Sequence, residues 1–398
     1  MSEKLKQSLL PEGLHDELPP IADYRSTVVA DLLGAFASAG YEQVAPPLLE
    51  FEDSLLTGSG VSQARHMFRL MDPASHRMMA LRADMTLQIA RIAATRLANA
   101  ARPLRLSYAG PVLRVKGLQF RPERELIQAG IELIGSDAPA ADLEVLLLAV
   151  ETLGGLGVEG LSVDLTMPPL VPALCRAFGA DDDQMRRARA ALDAKDQTAL
   201  PQVDGRLGEL LGGLIEVTGR ADDALEKLRA LELPDEARAL REQLYEHVRQ
   251  IRNAAPDLAL TIDLGDSRGF EYYTGIGFAL FAPGAPSELG RGGRYQARRD
   301  GGAGETAAGF TVYVDSLLRA LPGGKEHKRL YVPHGTPWPA VRKLAHEGWR
   351  TVQGLEPEAD VVSEAKRLGC THILASDGTR AVEEQTTSLD MKGISDGD

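Results

Sequence analysis

This chain of 398 residues has little of what would mark a stapled, membrane-bound or nucleic-acid-coating protein. Its two cysteines, Cys175 and Cys370, are too far apart in sequence to suggest a disulfide framework or a metal motif. No apolar run approaches the roughly 20 residues that a membrane-spanning helix needs. The opening Met1-Ser-Glu-Lys-Leu-Lys-Gln lacks the apolar core of a secretory signal, so the cytoplasm is the expected compartment. Positive charge is also in deficit: 44 Lys and Arg stand against 57 Asp and Glu, a formal charge of −13. Such a surface repels a phosphate backbone unless basic residues gather on one face. The basic clusters, such as Arg291, Arg294, Arg298 and Arg299, are short and argue mildly against a nucleic-acid partner. There is no internal repeat, and nothing calls for a metal or a cofactor.

What is present is ordinary globular composition, 44% hydrophobic and 25% charged. At about 150 residues per domain, the length suggests two or three domains. Val28, Val29, Leu32, Leu33 and Phe36 predict an amphipathic helix over 23–40, stopped by Gly40. Residues 76–82 read as a strand and 84–98 as a helix. A strand–loop–strand pattern runs through Leu104–Val115 and Glu125–Ile134, with the polar stretch 116–124 as its loop. Residues 140–153 read as a helix. From about 168 to 253 strand signals vanish, and Ala, Leu, Arg, Glu and Asp dominate, which predicts an all-helical insertion. Strands resume at 258–264 and 272–281. Gly290-Arg-Gly-Gly-Arg-Tyr295 reads as a glycine-rich turn, because its spacing fits neither a P-loop nor a dinucleotide fingerprint. A strand at 309–314 and a helix through Leu321 follow. The expected fold is therefore α+β: a mostly antiparallel sheet flanked by helices over 1–322, interrupted by the helical insertion. A small α/β unit follows over 327–382, and 383–398 reads as a disordered tail.

Polar residues stand within these strands where a purely structural sheet would avoid them. Arg82 and Asp84 lie in LRADMT, Arg114 in GPVLR, and Gln128 and Glu132 in QAGIE. Arg268, Tyr272 and Tyr273 lie in SRGFEYYTG, and Arg294 and Tyr295 in GRGGRY. Taken singly, each has a bland reading as an edge, paired or turn residue.

In order and wording, these segments resemble the class II histidyl-tRNA synthetases over nearly the whole of residues 8–322. PEGLHDELPP resembles the family's opening, and GYEQVAPPLLE its dimer-forming first motif, with the central proline at Pro46 or Pro47. LRADMTLQIAR stands where the family has a Leu-Arg-Pro-Glu-x-Thr run. GPVLR…QAGIELIG resembles the second motif, and SRGFEYYTG and GRGGRY resemble the two histidine-specific signatures.

The departures lie on the ATP side of the implied site. The family's second motif carries Arg-x-Glu, an arginine for the α-phosphate and a glutamate for adenine; this chain has Arg114-Val115-Lys116. The third motif's phosphate-gripping arginine is replaced by Ser316, and a neutral hydroxyl cannot do the work of a bidentate guanidinium. Arg319, three residues on, is not expected to reach the same point. The C-terminal anticodon-binding domain is reduced to an atypical remnant.

The amino-acid side of the implied pocket survives. By resemblance, Asp84, Thr86 and Gln128 would hold an ammonium group, and Arg268 a carboxylate with help from Arg114. Glu132, Tyr273 and Tyr295 would surround an imidazole. One family combines these traits, the regulatory subunits of ATP phosphoribosyltransferase. That resemblance implies a non-catalytic subunit joined to a short-form catalytic partner in a hetero-octamer and built from synthetase-like self-dimers. It also implies histidine as the feedback effector and no tRNA. The rival expectations are a working histidyl-tRNA ligase and a synthetase-like paralogue with another ligand.

Overall fold

The computed structural model describes residues 10–55, 66–117, 122–196, 200, 205–266, 272–297, 304–324 and 328–382. The chain divides into two compact units, Met1–Gly323 and Gly324–Asp398.

The first unit opens with helix α1 (Ile21–Ser38), whose buried residues Val28, Leu32 and Phe36 recur every four positions on one stripe. Two short strands, β1 (Glu42–Gln43) and β2 (Leu49–Phe51), lead to a one-turn helix, α2 (Glu52–Leu55). Strands β3 (Arg69–Met71) and β4 (Met78–Leu81) join β2 in a small three-stranded sheet. Helix α3 (Thr86–Thr95) precedes two long strands, β5 (Leu104–Leu113) and β6 (Glu125–Ile134). Helix α4 (Pro139–Gly155) starts on a proline, whose missing N–H is no loss in a first turn. It leads into strand β7 (Ser162–Thr166).

The segment expected to be all helical forms α5 (Leu170–Ala177), α6 (Asp182–Asp193), α7 (Gly205–Glu216), α8 (Ala221–Ala230) and α9 (Asp235–Ala254). A three-residue strand, β8 (Thr218–Arg220), breaks it between α7 and α8 and pairs with β9 (Ala259–Asp263) at the sheet's edge. Three residues are too few to leave an alternating pattern in the sequence. Strands β10 (Tyr273–Phe281), β11 (Gly290–Ala297) and β12 (Glu305–Tyr313), then helix α10 (Val314–Ala320), complete the unit.

The main sheet has nine strands in the order β1-β5-β6-β12-β11-β10-β7-β9-β8. Its pairings are antiparallel except at the β1–β5 and β7–β9 steps. The glycine-rich stretch read as a turn is strand β11, near the middle of this sheet. Its glycines answer crowding. A side chain at Gly292 would lie 2.5 Å from the Phe278 ring and from the Gly309 carbonyl oxygen.

Alternation gives each long strand two roles, because successive side chains point to opposite faces. On β6, Ala129, Ile131 and Leu133 join the large core under α1 and α4. Leu126 and Ile134 point the other way, into a smaller core with Ile89 of α3 and Leu106 of β5. Gln128 and Glu132 share that second face.

The second unit has a four-stranded sheet, ordered β14-β13-β15-β16, from β13 (Arg329–Val332), β14 (Arg350–Gln353), β15 (His372–Ala375) and β16 (Gly378–Ala381). Leu330 and Val332 pack with Val341 of α11 (Trp338–His346). Tyr331 packs with Ala365 of α12 (Val361–Arg367) and with Cys370. The tail expected to be disordered, 383–398, lies outside the described residues. Among those described, no helix is long and apolar enough to cross a membrane, and no His, Cys, Asp and Glu cluster could hold a metal.

Candidate functional site

In a strand covered on both faces, a polar side chain costs several kcal/mol unless it is hydrogen-bonded. Gln128 and Glu132 of β6 are 0% and 1% exposed, and both are bonded. The Gln128 amide donates to Asp84 Oδ2 at 2.8 Å, and its Oε1 accepts from the Met85 N–H at 3.0 Å. Asp84 Oδ1 in turn accepts from the Thr86 N–H at 2.9 Å, where α3 begins. The helix start therefore fixes the carboxylate and the carboxylate fixes the amide.

Glu132 lies two residues further along the same face of β6 than Gly130. Its Oε2 accepts from the Tyr295 hydroxyl at 2.8 Å, and its Oε1 from the Tyr108 hydroxyl at 3.3 Å. Tyr108 is also 2.7 Å from Thr311 Oγ1 and 3.4 Å from Thr86 Oγ1. Among the described residues no cation pairs with Glu132. Burial pushes its carboxyl up to about 8; bonds from Tyr295, Thr86 and Tyr108 pull it back, and the nearby Asp84 raises it. Glu132 therefore holds its proton at neutral pH. A ligand bringing a cation or a strong N–H donor would let it ionise.

Small residues make room for this network. Gly309 stands directly opposite Glu132 in the β6–β12 register, and a Cβ there would lie 1.9 Å from Glu132 Oε2. At Gly130 a Cβ would lie 2.7 Å from the Tyr108 hydroxyl. Gly309→Ala should therefore displace the Glu132 carboxyl and lower stability by about 1–3 kcal/mol, the usual cost of overpacking. Thermal denaturation would measure the loss; a melting temperature equal to wild type would show that the site has slack.

On the aromatic side of the site, Tyr272 stacks on Tyr295, with ring centroids 4.8 Å apart and planes at 17°. Tyr273 meets Tyr272 edge-on at 5.2 Å and pairs with Tyr295 across β10 and β11. Arg114 follows the end of β5 with the same parity as Tyr108, so it continues the site's face. The carboxylate candidate Arg268 lies outside the described residues.

Two other arginines of the expected constellation do structural work. Arg82, 3% exposed, donates to the carbonyls of Pro111 at 2.7 Å and Pro46 at 3.0 Å and to Gln88 Oε1 at 3.2 Å. Arg294 points to the opposite face of the sheet. There it holds Asp142 of α4 at 2.9 Å, and Asp142 also meets His247 Nε2 of α9 at 3.1 Å. Tyr108 and Thr311 belong to the site and were missed. Their signal in the sequence is a hydroxyl within a long strand, which Ser107 and Thr306 on the same two strands carry as well.

The two positions where the family resemblance implies a lost ATP contact are both described. Lys116 is exposed beyond β5, and Ser316 is buried with its hydroxyl 3.4 Å from that of Ser287. Arg319 is committed to Glu123, Nη2 to Oε1 at 2.6 Å, so it does not substitute.

Comparison with known proteins matches residues 13–317 to the histidyl-tRNA synthetase family. The chain is 52% identical over 383 residues to an ATP phosphoribosyltransferase regulatory subunit from Paramagnetospirillum magneticum, covering 96% of this chain and 100% of that one. It also resembles the crystal structure of an ATP phosphoribosyltransferase regulatory subunit/histidyl-tRNA synthetase from Bacillus halodurans. There the TM-score is 0.78 at 25% identity, over 92% of this chain and 97% of the other. An ATP phosphoribosyl transferase complex from Thermotoga maritima contains a chain of similar fold, with TM-score 0.56 and 18% identity over 73% of this chain and 97% of that one.

Proposed function

Since the chain belongs to the histidyl-tRNA synthetase-like family of ATP phosphoribosyltransferase regulatory subunits, we propose that it reads histidine on behalf of a separate catalytic subunit. It is a non-catalytic member of that enzyme complex, and the condensation of ATP with phosphoribosyl pyrophosphate takes place on the partner. One observation supports histidine as the ligand: the half-buried Asp84–Gln128 bond and the buried Glu132–Tyr295 bond keep acceptors in place, although the resemblance implies that the ATP contacts have gone. An α-ammonium group would sit against Asp84 and Gln128, with Thr86 at the start of α3 nearby. An imidazole would donate to Glu132 and lie among Tyr295, Tyr272 and Tyr273. Arg268 and Arg114 would serve the carboxylate. The partner is a short-form catalytic subunit, and the assembly is a hetero-octamer of four chains of each kind. Self-dimers form through the segment containing Pro46 and Pro47. No tRNA is bound, and the complex works in the cytoplasm.

The test is to reconstitute the complex with the short catalytic subunit and titrate histidine. Asp84→Asn should leave assembly and phosphoribosyl transfer intact. It should weaken the response to histidine by roughly 2–4 kcal/mol, the scale for neutralising one partner of a desolvated charge pair. Inhibition at an unchanged histidine concentration would remove this pocket from feedback control. Failure of the two chains to co-elute, with activity unaltered on mixing, would overturn the regulatory reading itself.

A further inference from the structure

Arg291 takes no part in the site as the sequence foretold it, yet the register puts it on the same face. It lies on β11 four residues before Tyr295, with matching parity, opposite Thr311 on β12 and Ala279 on β10. Thr311 is the residue whose hydroxyl meets Tyr108, the neighbour of Glu132. Arg291 is thus one strand removed from the pocket's hydroxyl relay. Strands β6 and β12 separate it from β5, where Arg114 continues the same face.

Its guanidinium is fixed along one edge. Nε and Nη2 donate to Glu288, with contacts of 3.1, 2.8 and 2.6 Å, and Glu288 is 6% exposed. Nη1 makes no hydrogen bond to any described residue. Burial works against the charge, but Glu288 and the neighbouring Tyr313 and Tyr273 hydroxyls outweigh it and keep Arg291 protonated. The result is an oriented, partly buried cation with one donor edge unpaired among the described residues.

The pocket has a use for such an edge. Asp84 and Glu132 suit the ammonium and the imidazole of an amino acid, but they repel its carboxylate. A carboxylate taken out of water needs a cation, and a planar, pre-oriented guanidinium loses the least in supplying one. We propose that Arg291, held by Glu288, binds the carboxylate of the pocket's amino-acid ligand and selects for that group. This rests on the reading of the pocket as a histidine site. It adds a cation on the described sheet to Arg268, the residue that the family resemblance assigns to the carboxylate.

The experiment compares L-histidine with L-histidinol, which keeps the imidazole and the amine but lacks the carboxylate. Both would be titrated calorimetrically into the full-length chain. Wild type should prefer histidine. Arg291→Ala should weaken histidine on the order of 30-fold while leaving histidinol within about threefold, so the preference collapses. Arg291→Lys keeps the charge without the fork and should lose about tenfold on histidine alone. It also stands in if the alanine variant does not fold. Equal weakening of both ligands would make the Arg291–Glu288 pair a structural strut and overturn the inference. So would an unchanged preference in either folded variant. Wild-type protein that binds no histidine would defeat the underlying reading, and the inference with it.

Discussion

Purified alone and supplied with histidine and ATP, this chain should exchange pyrophosphate into ATP at least roughly 10⁴-fold more slowly than a working synthetase. That figure follows from the loss of two charge-stabilising contacts, each worth about 10²–10³ in rate. Adenylate formation leans on positioning and on neutralising the phosphates. Where the family resemblance places an adenine-reading acid, this chain has Lys116, an exposed cation. Where the resemblance places a phosphate-gripping arginine, this chain has Ser316, buried against Ser287. Arg319, the nearest replacement in sequence, is held by Glu123 at 2.6 Å. Histidine-dependent exchange at a normal synthetase rate would mean that other residues bind ATP and would revive the ligase reading.

The ligand-free chain should also lose stability as pH rises from about 5 to 8, and Glu132 is the reason. Its carboxyl titrates at about 8 when folded, against an ordinary 4.5, because burial penalises the charged form. Between those values the folded state holds a proton that the unfolded state has released, so raising the pH favours unfolding. The stability tied to this proton is fully present below about 4.5 and is lost as pH rises through about 8. A displacement of that size corresponds to something on the order of 5 kcal/mol. Glu132→Gln removes the titration while keeping a polar side chain of the same shape. Urea unfolding from pH 5 to 9 should show wild type falling relative to the variant, and the subtraction cancels groups such as His247. Parallel curves for the two proteins would mean that Glu132 is ionised in the native state. Histidine binding should flatten the wild-type slope as well, because a donor beside Glu132 stabilises its charge.

The sequence displayed the long, strongly patterned pieces. The stripe on α1, the paired strands β5 and β6 and the helices of the insertion are local, and local periodicity survives in one dimension. Its reading failed where neighbours far along the chain decide. GRGGRY carries every mark of a turn. Only the Phe278 ring and the Phe310 Cβ, packed on it from adjacent strands, explain why a sheet centre needs a glycine there. Arg82 and Arg294 illustrate the same limit at the site. Polarity within a strand signalled that they had partners, but the partners are the carbonyl of Pro111 and the carboxylate of Asp142, 29 and 152 residues away. Asp84, Gln128, Glu132 and Tyr295 were legible because a family pattern supplied their companionship. Tyr108 and Thr311 had no such pattern, and their roles emerge only from the register of β5, β6 and β12.

Strand β11 behaves like a rack cut on both edges. Arg294 engages Asp142 on one side of the sheet, and the next tooth, Tyr295, engages Glu132 on the other. Because the repeat of a strand is two, adding or deleting one residue within these eight would exchange the teeth. A guanidinium would then enter the pocket, and a phenol would meet Asp142 of α4 in place of the cation that holds its carboxylate. The strand's length is therefore as much a part of its chemistry as the identity of any residue on it. Chain-length change is confined to the connections on either side, or must come in steps of two.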